Sequence, residues 1–91
     1  MKLLLVEDNQ QLVDDIAGFL SEDGFITESA ASLRDAEEKI ELYKYDLVIL
    51  DLGLPDGDGL ELIPVIQKLH SETAILILTA KDGIDYKVKG L

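Results

Sequence analysis

The chain has 91 residues, with 8 lysines and arginines against 19 aspartates and glutamates, and therefore a net charge of −11. This length is enough for one domain, which we predict over residues 1–91, and the acidic balance argues against direct binding to nucleic acid or to an anionic membrane. The chain contains no cysteine, which excludes disulfides, thiolate metal sites and thiol catalysis. The apolar run Leu3–Val6 is too short for a signal peptide or a membrane span, so we expect a cytoplasmic protein.

Short apolar runs rich in Leu, Ile and Val predict the strands. Three of them are four residues long and do not alternate with polar residues: Leu3–Val6, Leu47–Leu50 and Ile75–Leu78. Uninterrupted runs of this kind are typical of parallel strands buried on both faces of a sheet. A fourth run, Phe25–Ala30, contains polar residues and predicts a more exposed strand near a sheet edge.

The segments between these runs show helical spacing of apolar residues. The first helix is predicted over residues 9–22, and Gly24 follows it where a C-terminal cap is expected. The second helix is predicted to begin after Ser32, which forms a capping-box pattern with Asp35.

A similar pattern, Asp58 with Glu61, predicts the start of a third helix. Pro64 conflicts with it, because a proline beyond the first turn costs a backbone hydrogen bond and bends a helix. A fourth helix is predicted to begin near Ile84. Strands and helices therefore alternate along the chain, which predicts an α/β fold with right-handed crossovers and a mainly parallel sheet.

Acidic side chains follow two of the predicted core strands. Glu7 and Asp8 come after the first strand, Asp51 ends the third, and Thr79 ends the fourth. Ligands of such sheets bind beyond the carboxyl ends of the strands. Three carboxylates there would repel one another by about 3 kcal/mol per pair at ~5 Å and an effective dielectric constant of ~20. A hard divalent cation would offset this repulsion, and we expect Mg²⁺ rather than Ca²⁺, with a carboxylate as a possible nucleophile toward phosphorus.

Each of these residues also has a purely structural interpretation. Asp8 could cap the first helix, and Thr79 could be an ordinary residue at a strand end. The joint pattern favours a site, because the acids and the hydroxyl follow successive core strands at one end of the same sheet.

Three segments carry a resemblance to a known family: LLLVEDN at 3–9, DLVILDLGLPDGDGLEL at 46–62 and ILILTAKD at 75–82. They resemble the receiver domain of bacterial two-component response regulators, most closely regulators with winged-helix DNA-binding effectors. The resemblance covers the whole chain. It implies a flavodoxin-like (CheY-like) fold with three α/β/α layers and the strand order 2-1-3-4-5.

The resemblance implies a metal site and a phosphoacceptor. Asp51 would accept a phosphoryl group from a phosphohistidine of a sensor histidine kinase. Asp8, Asp51 and the backbone carbonyl of Gly53 would ligate Mg²⁺, and Glu7 would act chiefly through water.

The resemblance also implies contacts to the phosphoryl group. The hydroxyl of Thr79 would donate a hydrogen bond to a phosphoryl oxygen and move inward on activation. The backbone amides of Leu52 and Ala80 would face the remaining phosphoryl oxygens.

The sequence departs from the family after the fourth predicted strand. The family has five βα units, and we expect the fifth unit, with its phosphoryl-binding lysine, to be missing, leaving the order 2-1-3-4. The strand at Ala74–Thr79 would then be a bare apolar edge. We therefore expect a marginally stable monomer, or a dimer or swapped dimer formed through that edge.

Two function classes remain open from the sequence. The first is a phosphoacceptor switch that controls an effector, and the resemblance to winged-helix regulators implies that this effector would act in transcription. The switch would not be an enzyme beyond Mg²⁺-dependent self-phosphorylation and autodephosphorylation. The second is a receiver-like protein–protein interaction module that has lost phosphotransfer.

Overall fold

Parallel strands form the centre of the sheet, as the apolar runs predict. The computed structural model describes residues 1–79 and 85–89. Its elements in chain order are β1 (Lys2–Val6), α1 (Gln10–Ser21), β2 (Ile26–Ala30), α2 (Leu33–Leu42), β3 (Leu47–Asp51), β4 (Gly53–Leu54), β5 (Gly57–Asp58), a 3₁₀ turn (Gly59–Glu61), α3 (Leu62–Leu69), β6 (Ala74–Thr79) and β7 (Asp85–Lys89). The sheet order is β2-β1-β3-β6-β7, and its first four strands are parallel. This order confirms the flavodoxin-like prediction. In the part of the chain that is described, no helix has the length and apolar character needed to cross a membrane.

Alternate residues of the central strands fill two apolar cores, one on each face of the sheet. Leu3 and Leu5 of β1 belong to the same core as Val13 of α1, whereas Leu4 and Val6 belong to the core that contains residues of α2 and α3. The four β1 side chains are completely buried. Each contributes about 1.5–3 kcal/mol relative to an exposed position. Helices therefore cover both faces, which confirms the three-layer arrangement.

The helix ends carry the caps that hold them in register with the strands. Asn9 caps α1, because its side chain accepts a hydrogen bond of 3.2 Å from a backbone N–H of the first turn. Asp8 is therefore not the cap of this helix. Ser32 caps α2 and accepts from the Asp35 N–H at 3.1 Å, as predicted. Gly24 follows α1 with a φ of 84°, a conformation that glycine adopts without strain.

The start of the third helix resolves the conflict over Pro64. Asp58 and Glu61 form the predicted capping box, but they cap a 3₁₀ turn over Gly59–Glu61. The α-helix itself begins only at Leu62. Pro64 is thus the third residue of α3, in the first turn, where backbone N–H groups have no partner within the helix. The expected loss of a backbone bond in the helix interior is therefore wrong.

The structure corrects two predictions at the end of the chain. Asp85–Lys89 is a strand where a fourth helix was predicted, and Ile84, the predicted helix start, lies outside the described residues. This strand pairs antiparallel with β6 over all five of its residues, so Ala74–Thr79 is not a bare edge. An open edge offers a row of backbone donors and acceptors, and pairing satisfies them. The edge on which the expected dimer depended is therefore occupied.

A polar cluster connects the start of β1, the edge strand β2 and the chain before β3. The Tyr45 hydroxyl donates a 2.6 Å hydrogen bond to Oε1 of Glu28, and Lys2 Nζ lies 3.3 Å from Oε2 of the same carboxylate. Lys2 Nζ also lies over the Tyr43 ring, 4.7 Å from its centroid. The hydrogen bond from Tyr45, followed by the charge of Lys2, lowers the pKa of Glu28.

We expect Tyr45→Phe to destabilise the protein by about 1.5 kcal/mol at pH 7, because it removes a hydrogen bond to a charged acceptor. The pKa of Glu28 is lowered in the folded state. Ionised Glu28 therefore stabilises the fold fully above its ordinary pKa of 4.5, and this stabilisation is lost as the pH falls through the lowered pKa of the folded state. The cost of Tyr45→Phe should therefore shrink below that pH. Urea denaturation at pH 7 and at acidic pH measures both costs, and an equal cost at both would contradict the assignment.

Candidate metal centre

Three carboxylates converge at the carboxyl ends of β1 and β3. One oxygen each from Glu7, Asp8 and Asp51 lies within 4.8 Å of the other two, and we call these residues the acidic cluster. The strand register brings them together, because Val6 is paired with Leu50 and the next residue on each strand is an acid. The structure thus places the three predicted acids together, as the sequence indicates.

Glu7 is the buried member of the acidic cluster, with 7% of its surface exposed. Its backbone N–H donates to the Ala30 carbonyl at 2.9 Å, and its Oε2 accepts from the Asn9 N–H at 2.9 Å. Burial raises the pKa of Glu7, and the neighbouring charges of Asp51 and Asp8 raise it further. The carboxylate is therefore fixed in position and poorly neutralised by the protein.

Asp51 is half-buried at the end of β3. Burial raises the pKa of Asp51 and the charge of Asp8 adds to this effect, whereas hydrogen bonding from the backbone N–H groups of Gly53 and Leu52 opposes it. The role predicted for the Leu52 amide, which is to face a phosphoryl oxygen, stays a prediction. Asp8 completes the acidic cluster as its exposed member.

The donor set of the acidic cluster fits a hard divalent cation. All three groups are carboxylates, and oxygen ligands suit Mg²⁺, Ca²⁺ or Mn²⁺ rather than metals that prefer thiolate or imidazole. The raised pKa values of Glu7 and Asp51 reflect crowded, poorly solvated negative charge, which a cation would relieve. The arrangement can therefore bind a cation beside a partly exposed carboxylate.

A short hairpin follows Asp51 in the chain. In this 53–58 hairpin, Gly53 pairs with Asp58 and Leu54 with Gly57, which leaves two residues in the turn. Leu54 is buried with the α2 and α3 core. The predicted ligand Gly53 is exposed in β4, next to the acidic cluster in sequence.

Sequence reasoning missed the structural roles of three residues in and just after this hairpin, Asp56, Gly57 and Gly59. Asp56 accepts two backbone hydrogen bonds from the start of α2. Gly57 has a φ of 153°, and a Cβ there would lie 2.5 Å from Cδ1 of Leu33. Gly59 packs against the Asp51 backbone, where a Cβ would lie 2.2 Å from the carbonyl oxygen. The signal was present as Pro-Asp-Gly-Asp-Gly, a turn sequence with glycines where backbones approach closely.

The two remaining predicted residues lie at the end of β6. Thr79 is the last residue of β6, and its backbone is paired with Asp85. Because Asp51 is paired with Leu78, the backbone of Thr79 lies at the same end of the sheet as the acidic cluster. Ala80 lies outside the described residues.

The chain was compared with families of known proteins, with curated proteins and with solved structures. Residues 3–91 match the response regulator receiver domain. This chain belongs to that family. The transcriptional regulatory protein PmrA of Pectobacterium parmentieri is 44% identical over 91 residues, which are 100% of this chain and 41% of the relative. The chain thus spans about two fifths of the length of the curated relatives it matches.

Solved receiver structures share the fold. The response regulator TrrA of Thermotoga maritima, in complex with Mg(2+)-BeF, is 32% identical with a TM-score of 0.82, over 89% of this chain and 70% of that one. A response regulator from Burkholderia pseudomallei, with a phosphorylated aspartic acid, calcium ion and citrate, is 26% identical with a TM-score of 0.83, over 87% of this chain and 46% of that one. The receiver fold predicted from the sequence is confirmed.

Proposed function

We propose that this receiver domain is a phosphoacceptor switch of a two-component signal transduction system. A carboxylate oxygen of Asp51 attacks the phosphorus of a phosphohistidine on a sensor histidine kinase, and the P–N bond breaks with its electron pair on the imidazole. The product is an aspartyl phosphate. The observation that carries the proposal is the convergence of Glu7 and Asp8 on Asp51. Such crowding of charge is unfavourable alone and suits a site that binds a cation and a phosphoryl group.

We assign Mg²⁺ to the acidic cluster together with the backbone carbonyl of Gly53. When bound, the cation neutralises negative charge on the phosphoryl oxygens. Asp8 is exposed and Asp51 half-buried, so both can offer an oxygen directly. Glu7 is held by the Asn9 amide and acts chiefly through water. Magnesium is preferred to calcium because so few protein ligands leave room for water and phosphate.

Three further groups are proposed to contact the phosphoryl oxygens. The Thr79 hydroxyl donates to one of them, and the Leu52 and Ala80 amides face the others. The negative charge of Asp8 beside Asp51 disfavours a further charged group there, so we propose that the phosphorylated form needs a bound cation. We propose no turnover of other substrates: the chain phosphorylates and dephosphorylates itself and is otherwise not an enzyme.

The output is proposed to be control of transcription in the cytoplasm by a longer protein. The support is that PmrA is a transcriptional regulatory protein of which this chain spans 41%. The net charge of −11 disfavours DNA binding by these 91 residues, so the effector would supply it.

The test is phosphorylation with acetyl phosphate and MgCl₂, followed by intact mass measurement. We expect the mass of one phosphoryl group to be added to the wild type and none to Asp51→Asn. Asp15→Asn, an exposed aspartate on α1, is the matched control and should gain the group normally. No adduct on the wild type, with acetyl phosphate or with a phosphorylated kinase, would instead favour an interaction module without phosphotransfer.

A further inference from the structure

The turn of the 53–58 hairpin is attached to the N-terminus of α2. Asp56 Oδ1 accepts a hydrogen bond of 2.7 Å from the Leu33 N–H, and its Oδ2 accepts one of 3.1 Å from the Arg34 N–H. These donors are 22 and 23 residues away in sequence. An exposed carboxylate thus bridges two elements that would otherwise meet only through side-chain packing.

This contact completes the capping of α2. The first N–H groups of a helix have no partner within the helix. Ser32 satisfies the N–H of Asp35, and Asp56 satisfies those of Leu33 and Arg34. A carboxylate beside these positive backbone groups is also favoured by the helix dipole. The two backbone hydrogen bonds lower the pKa of Asp56, so it stays ionised at neutral pH.

The hairpin connects this attachment to the site. Gly53 and Asp58 are paired at its open end, and Leu54 and Gly57 at its closed end, so only two residues separate the strands. Beyond the hairpin, the Gly59 N–H donates to the Leu52 carbonyl at 3.1 Å. A unit this short transmits a displacement of its turn to its base, where Gly53 adjoins the acidic cluster.

We infer that Asp56 is a positioning residue of the metal centre, which ties the 53–58 hairpin to α2 and so fixes the Gly53 carbonyl for the cation. The inference rests on the proposed function for the identity of the ion and for Gly53 as one of its ligands. Outer contacts that orient metal ligands typically change affinity by about 10–100-fold when removed.

The first experiment measures Mg²⁺ binding by calorimetry in the full chain. Asp56→Ala should bind Mg²⁺ about tenfold more weakly than the wild type. Asp56→Asn removes the same charge but keeps one acceptor oxygen, so its affinity should fall between the two. Ser32→Ala removes a cap of the same helix without touching the hairpin and should bind Mg²⁺ as the wild type does. Wild-type affinity in Asp56→Ala, or equal weakening in Ser32→Ala, would overturn the inference.

The second experiment needs no metal. Hydrogen exchange of the Gly59 amide reports how firmly the base of the hairpin is held. Asp56→Ala should exchange this amide at least about fivefold faster, and Ser32→Ala should not. If the wild type binds no Mg²⁺, the proposed cation is wrong. The exchange rate of the Gly59 amide still tests whether Asp56 holds the 53–58 hairpin in place. An unchanged rate in Asp56→Ala would overturn that role.

Discussion

Gly59→Ala is expected to destabilise the protein by about 3 kcal/mol, the upper end of the usual cost of overpacking. The added Cβ would lie 2.2 Å from the Asp51 carbonyl oxygen and 3.1 Å from Cδ1 of Leu50. The first contact is with backbone, which cannot rotate away, so the strand end that carries Asp51 must move. Urea denaturation followed by circular dichroism measures the loss of free energy of unfolding.

Gly18→Ala is the matched control for this prediction. Gly18 lies inside α1, and a Cβ there would meet no heavy atom within 4 Å apart from its chain neighbours and the nearby backbone of the same helix. The same substitution should therefore stabilise the protein by about 0.5–1 kcal/mol, because alanine favours a helix more than glycine does. Equal effects at the two positions would contradict the close packing of Gly59 on β3.

Asp51→Asn is expected to stabilise the protein by about 1 kcal/mol when divalent ions are removed with EDTA, because it relieves repulsion between like charges. The effect is small because Asp51 is partly exposed and solvent screens the repulsion. The pKa of Asp51 is raised in the fold, chiefly by burial and also by Asp8, so its ionised form is unfavourable there at pH 7. Thermal unfolding in EDTA measures the effect. Asp15→Asn removes an equal charge from an exposed position and should change the melting temperature little.

Magnesium should reverse this order. A ligand at a hundred times its dissociation constant stabilises a folded protein by about 2.7 kcal/mol, and Asp51→Asn should gain much less because it lacks one carboxylate of the acidic cluster. An equal or lower melting temperature for Asp51→Asn in EDTA would show that repulsion in the cluster is already offset within the protein.

Much of the fold follows from local sequence signals. Leu4, Val48 and Ile75 of the apolar runs are buried, because a sheet covered on both faces has no solvent side to alternate with. The caps at Ser32 and Asp58 lie where short polar side chains can satisfy free N–H groups. The acids of the site were predictable because parallel strands align their carboxyl ends.

The remaining features depend on contacts between segments distant in sequence. Asp85–Lys89 has residues compatible with either helix or strand, and the open edge of β6 determines the strand. The role of Asp56 is set by α2, whose start is more than twenty residues earlier. Asp8 or Asn9 could each have capped α1, and the structure shows that Asn9 does so. Sequence patterns indicate the local preference of each segment, whereas tertiary packing and strand pairing determine these three features.

Asn9 caps α1, whereas the adjacent Asp8 belongs to the acidic cluster. Asn9 supports the helix, so its neighbour Asp8 serves no cap and is free to hold an ion. A change at position 8 therefore leaves the cap of α1 intact, whereas the same change one residue later would weaken the helix. A substitution of Asp8 can therefore test the proposed cation without removing the cap of α1.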